Sequence, residues 1–367
     1  MPGPADIARA VLDNGLVVLV RENHAAPVVV VDGYLSSGAI HEPAEQAGLA
    51  SFVANMVTRG SAHYDFDQFN EAVEGVGASL SVNADDHTTA FGATSLSEDF
   101  PTLLGVLADA LRRPTFPAEH VNRVRGQKLV YIQERDEDTA QVAMQNFYAT
   151  LYPNHPYGRA TGGYSDTIRA IQRQDLVDFH ARTYTPNGAI LVVTGDVETA
   201  AALDLVHAHF GDWQGPKLDA GVPPVAPLNG IHREARLLHG KFQADIVLGC
   251  PAVARPHPDF YAVRVANTIL GRFGMMGRLG ERVREQQGLA YYAYSSQDAG
   301  PQAGVWLAAA GVNPANVGQA VAGILAEFTR LGQEPVPAAE LADSQAYLTG
   351  VLPLTLETNE GVASTLL

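Results

Sequence analysis

The chain has 367 residues, 46% hydrophobic and 17% charged, a globular composition that excludes disorder, collagen and coiled coil. Lys and Arg number 24 against 40 Asp and Glu, a net charge of −16 that leaves no basic footprint for nucleic acid or an anionic membrane surface. Its one cysteine, Cys250, excludes an internal disulfide and a thiolate zinc knuckle, and reads as a small buried hydrophobe at a strand end.

Two β-branched runs, 15–21 (GLVVLVR) and 28–35 (VVVVDGYL), are split by a loop holding Pro27 and read as a hairpin of buried strands. Residues 46–58 read as a helix with Leu49, Phe52, Val53 and Met56 on one face, capped by Gly60. A second helix follows at 67–76. Residues 78–94 alternate as an antiparallel strand pair around Asn83. Helices are expected at 100–112, at 117–151 as one long element, and at 166–184, then a strand at 189–195. The stretch 211–231 is rich in Gly and Pro, lacks any period, and reads as a linker.

Beyond it the pattern restarts. A strand at 245–249, a helix at 258–270, a helix-then-strand segment at 278–296, a strand at 304–311 and helices at 314–331 and from 337 are expected. Phe116-Pro117-Ala118-Glu119 is echoed by Val336-Pro337-Ala338-Ala339-Glu340, each opening a long helix. The fold class is therefore α+β: one antiparallel-rich unit packed with helices and used twice, over 1–210 and 232–367. Leu367 stands level with Leu151 of the first copy, so the counterpart of 152–197 is missing. The second half reads as C-terminally incomplete, since a sheet without its edge strand exposes unpaired backbone. The N-terminus shows no apolar segment behind a basic start, and no run reaches about 18 uncharged apolar residues. The cytoplasm is expected, or the periplasm where a signal has been trimmed away.

Chemical motifs are few. Of the 12 His, none lies four residues from another, so neither H-x-x-E-H nor H-E-x-x-H occurs. His207 and His209 fall on opposite faces of a helix. No G-x-S-x-G or phosphate loop exists, and Ser79 and Ser165 read as strand and turn serines. Gly271, Gly274, Gly277 and Gly280 recur every three residues, a loop where backbones approach closely or one that touches a peptide. One constellation remains, RLGERVREQQGLAY at 278–291. Gly288 should stop a helix, which places Arg284 in the last turn and Tyr291 near the start of the next strand. A guanidinium and a phenol both donate hydrogen bonds, which suits a peptide carbonyl or the oxyanion made from it. On the residues alone, a surface arginine and a packed tyrosine fit as well.

Nearly the whole chain resembles the inverzincin peptidases of the pitrilysin and insulinase class, which include the mitochondrial processing peptidase. The matching segments are LDNGLVVLVREN, GLASFVANMVTRGS, VGASLSVNADDHT, HPYG, NGAILVVTGDV and LGRFGMMGRLGERVREQQGLAYYAYSS, in the family's order. The resemblance implies zinc held by H-x-x-E-H and a downstream glutamate. This chain has Ser51-Phe52-Val53-Ala54-Asn55 there, and an ungapped count puts the glutamate position at Tyr131, with Glu134 one turn away. Ser51, Asn55 and Tyr131 are poor zinc ligands, and the Ala54 methyl cannot serve as the base. No metal is expected in this chain. The family's Arg/Tyr pair, which contacts the substrate carbonyl, is matched by Arg284 and Tyr291. The resemblance therefore implies the metal-free subunit of a heterodimeric zinc endopeptidase. Its partner would be a homologous H-x-x-E-H subunit that carries the zinc, and its substrate a peptide or unfolded protein. A scaffold or peptide-binding subunit without catalysis is the alternative.

Overall fold

The structure, a computed structural model, describes residues 3–219, 221–272 and 277–367. Gly274 lies outside the described residues. The chain forms two compact units. One comprises residues 1–132, 159–222 and 353–367, and the other 133–158 and 223–352.

In the first unit the strands are β1 (Ala8–Val11), β2 (Val17–Glu22), β3 (Val28–Leu35), β4 (Ser79–Ala84), β5 (Thr89–Leu96) and β6 (Ile190–Gly195). They form one mixed sheet in the order β1-β2-β6-β3-β5-β4. The expected β2–β3 hairpin is not made. Instead β6 enters between them, parallel to β2 and antiparallel to β3. The reason lies in its side chains: Leu191, Val192 and Val193 are all fully buried. A strand apolar on both faces belongs in the middle of a sheet. The antiparallel pair β4–β5 forms as expected, with Asn83 opposite Ala90.

Helices α1 (Leu49–Met56), α2 (Phe66–Glu74) and α3 (Phe100–Arg112) come from the first part of this unit. The expected long helix 117–151 is two helices, α4 (Ala118–Glu137) and α5 (Thr139–Leu151). Asp138 breaks it: its backbone is extended, and its carboxylate accepts the Gln141 amide at 2.8 Å as an N-cap. The expected helix 166–184 is likewise divided into α6 (Ser165–Ala170) and α7 (Arg173–Thr183), followed after β6 by α8 (Thr199–Phe210). One core, including Phe52, Leu104, Leu107, Ile132, Phe179 and Phe210, joins these helices, α5 excepted, to the sheet.

Residues 213–242 carry no helix or strand among the described positions. The second unit then builds a three-stranded antiparallel sheet in the order β7-β9-β8 from β7 (Ala244–Ala252), β8 (Ala290–Ala299) and β9 (Gly304–Val312). Its helices are α9 (Phe260–Asn267), continued as a π-helical stretch to Arg272, then a π-helical turn at Gly280–Gln286, α10 (Val317–Gln333) and α11 (Ala338–Thr355). Cys250 is exposed on β7 rather than buried. A Cβ added to Gly277 would stand 2.6 Å from the Gly271 Cα, so the loop glycines do bring backbones together.

Each sheet receives a helix from a distant part of the sequence. In the second unit, α5 packs on the face of Val305, Leu307 and Ala309 through Leu151 and Tyr152. In the first unit, α12 (Asn359–Leu366) sets Ala363 against Val30 and Val192, and Thr194 donates to the Asn359 carbonyl at 3.0 Å. The compact units are thus discontinuous in sequence, unlike the contiguous stretches 1–210 and 232–367. The breaks at Asp138 and Thr358, both N-caps, separate α5 and α12 from the helices before them and free them to pack elsewhere. No helix among the described residues is long and apolar enough to cross a membrane.

Candidate functional site

The helix α1 is positioned by Gly48, which takes a left-handed backbone (φ 96°) at its N-cap. A Cβ there would meet the Gly163 Cα at 2.8 Å. Glu42 anchors the same turn, accepting the amides of Gly48 at 2.9 Å and Ala50 at 2.8 Å. Apolar residues Leu49, Phe52, Val53 and Met56 turn into the core. Ser51 and Asn55, four residues apart, share the half-buried face that remains. Ala54 is buried.

Facing Ser51 is a residue that the sequence reading passed over. Lys128 of α4 is only 8% exposed, and its Nζ donates to the Ser51 Oγ at 2.7 Å. Burial lowers its pKa to about 8, against a smaller upward pull from Glu42. Burial in turn raises Glu42 to about 7, opposed by the two amide hydrogen bonds and by Arg159 and Lys128. Lys128 and Glu42 thus form a low-dielectric pair at the root of α1. A signal for Lys128 was present: Val121, Val124 and Ile132 lie seven and four residues before it and four after, all buried. Tyr131 does not join this group. Its ring is 57% exposed, and Glu134 is exposed as well.

These residues do not fit zinc. A hydroxyl, a methyl and an amide stand at Ser51, Ala54 and Asn55, the positions the resemblance aligns with the zinc motif, and an ammonium occupies hydrogen-bond distance from the first. A cation so placed repels a dication where a ligand should attract it. Among the described residues, no group of three or more His, Cys, Asp or Glu could hold a metal ion. His207 and His209 lie on α8 as a helix predicts.

The second candidate group belongs to the other unit. The π-helical turn Gly280–Gln286 ends at Gly288, whose left-handed backbone (φ 61°) lets its amide donate to the Arg284 carbonyl at 2.9 Å. The strand β8 starts two residues later, and its register shifts between Ala290 and Tyr292: Ala290 pairs with Val312 and Tyr292 with Gly311. Tyr291 is the extra residue of this β-bulge, and its side chain is 69% exposed. A bulge re-aims a side chain that regular pleating would commit to one face. No sequence signal marked it. The three arginines of this segment differ in their ties. Arg278 grips Glu340 through two bonds of 2.7 and 2.6 Å, and Arg282 bonds Glu327 at 2.8 Å. The Arg284 guanidinium and the Tyr291 hydroxyl have no partner among the described residues. Both are therefore available as donors.

The chain thus combines a mixed sheet backed by helices, a second unit of sheet and helices, and a helix α1 whose Ser51, Ala54 and Asn55 do not fit zinc. Comparison with known proteins gives its family. Residues 17–164 match the family described as Insulinase (Peptidase family M16), and residues 170–348 match the Peptidase M16 inactive domain. An uncharacterized zinc protease of Mycobacterium tuberculosis (strain ATCC 25618 / H37Rv) is 29% identical over 369 residues, covering 96% of this chain and 82% of the relative. The mitochondrial-processing peptidase subunit beta of Mus musculus is 29% identical over 263 residues, 71% of this chain and 53% of that one. The crystal structure of a peptidase M16 inactive domain from Pseudomonas fluorescens has the same fold, with a TM-score of 0.89 at 22% identity over 98% of this chain and 86% of the other. The chain belongs to the M16 peptidase family.

Proposed function

We propose that this chain is the metal-free subunit of a heterodimeric zinc endopeptidase. Its partner is a homologous subunit with an intact H-x-x-E-H motif, which holds the zinc and the general base. Arg284 and Tyr291 donate hydrogen bonds to the scissile carbonyl and to the negative charge that grows on its oxygen. Metal activation and oxyanion stabilisation are separable contributions, so two chains can divide them. The substrate is a peptide or an unfolded protein segment, and the complex works in the cytoplasm, or in the periplasm where export applies. In this reading residues 1–210 and 232–367 are two copies of one ancestral unit.

The observation that carries the reading is a contrast within one chain. At Ser51 a lysine ammonium stands within hydrogen-bond distance of the position a metal ligand would need, while Arg284, unlike Arg278 and Arg282, has no carboxylate partner among the described residues. The relative named as a processing-peptidase subunit supports a partnership of this kind. The test is steady-state cleavage of a quenched unstructured peptide by the complex with Tyr291→Phe. Loss of one donor to a developing oxyanion should lower kcat about 10²-fold with little change in KM. An unchanged kcat contradicts the role. A non-catalytic scaffold is the second reading, favoured by one fact: Tyr291 is exposed and unbraced, whereas oxyanion donors work best when held in place.

A further inference from the structure

The second unit contains an open cavity of about 590 Å³ beside α9. Its lining is unexpected in a chain of net charge −16, because it includes two arginines and no acidic residue. Phe260, Arg264 and Asn267 fall at i, i+4 and i+7 of α9, so one helix face supplies all three. Arg255 enters from the loop after β7, its guanidinium 4.3 Å from the centre of the Phe260 ring. Stacking of this kind holds the planar group while leaving its N–H edge free. Neither Arg255 nor Arg264 forms an ion pair with a carboxylate among the described residues; the neighbouring Asp259 lies 3.8 Å from His257 instead.

Two neutral donors complete the wall. Asn267 is 4% exposed, and its Oδ1 accepts the Trp306 indole N–H at 2.9 Å. That bond fixes the amide and leaves Nδ2 without a partner among the described residues. Gln297 lines the same wall, with its Nε2 buried and without a partner among the described residues. A buried N–H without an acceptor is costly, and two guanidinium groups and the Asn267 amide around one space call for an acceptor. Phe260 and Pro301 give the same cavity an apolar side.

We propose that this cavity binds a small organic oxyanion, a carboxylate or phosphate carried on an apolar group. The Arg255 and Arg264 forks grip the anion, the Asn267 amide completes its shell, and the apolar part lies along Phe260 and Pro301. The site is independent of the peptidase reading, since it uses neither α1 nor the Arg284–Tyr291 segment.

The experiment is calorimetric titration of the full chain with benzoate, phenyl phosphate and neutral benzamide. The proposal expects at least one anion to bind and benzamide not to. Preference between benzoate and phenyl phosphate then assigns the ligand as carboxylate or phosphate. Arg264→Met should weaken the anion at least about tenfold, the scale of one charge-assisted hydrogen bond. Arg255→Ala, on an exposed loop, should do the same and serves where the helix variant fails to fold. Equal binding of benzamide, no anion binding at millimolar concentration, or anion binding unaffected by either folded variant overturns the proposal.

Discussion

Replacing Lys128 by methionine isolates the group that stands at the degenerate motif. Methionine keeps the stem's apolar packing and removes the ammonium. In the folded chain Lys128 titrates near pH 8, against an ordinary 10.5. The unfolded chain therefore holds the extra proton between those values, and stability rises as pH climbs through them. At pH 7 holding this buried charge costs the wild type about 3 kcal/mol relative to a solvated lysine. Lys128→Met removes that cost and also the hydrogen bond to Ser51, worth about 1 kcal/mol. It also strips Glu42 of a cation that helps to keep it ionised, so the net change at pH 7 is small. The pH dependence is the clear signal. Chemical unfolding at pH 8 and pH 9.5 should show the wild type gaining about 1.5 kcal/mol on Lys128→Met across that window. A difference that stays flat would mean that Lys128 is solvated rather than buried against Ser51, and the argument against zinc at this site would lose its strongest element.

Three further outcomes follow from the geometry. Asp138→Ala removes the cap that separates α4 from α5 and should cost about 1 kcal/mol in chemical unfolding. Gly288→Ala should cost about 1–2 kcal/mol, because the left-handed backbone penalises a Cβ that meets no other atom, and Gly288→Asn should cost less. His180 is half-buried, with its Nε2 2.8 Å from the Leu111 carbonyl, and desolvation lowers its pKa to about 4. Its contribution is present above pH 6.5 and is lost as pH falls through 4. The stability lost between pH 7 and 4.5 should therefore shrink by about 2 kcal/mol in His180→Gln.

Much of this fold could be read from the residues, and the failures have physical causes. The span 28–35 forms a strand with the expected ends because an unbroken β-branched run has no other good conformation. Its hairpin with β2 failed because pairing depends on β6, far downstream at 190–195, and local pattern carries no information on that. The helix 117–151 was read through Asp138, although an Asp three residues before Gln141 is an N-cap signal inside a helical period. Which sheet α5 and α12 cover was likewise beyond reach, since periodicity names a buried face but not the surface it meets. At the candidate site, Gly288 and the helix end just after Arg284 were legible from glycine's conformational freedom. The bulge that turns Tyr291 outward was not, because it arises from register with β9. Lys128 carries no motif and a lysine ordinarily faces solvent, so only its place on the buried stripe of Val121, Val124 and Ile132 points to it.

The central claim is division of labour between two chains. The most direct measurement is zinc content and cleavage of a quenched unstructured peptide, for this chain alone, for an H-x-x-E-H partner alone, and for their purified complex. Zinc in the partner and the complex but not in this chain, with cleavage by the complex that disappears in Arg284→Ala, is the predicted result. Stoichiometric zinc and cleavage from this chain alone would contradict it.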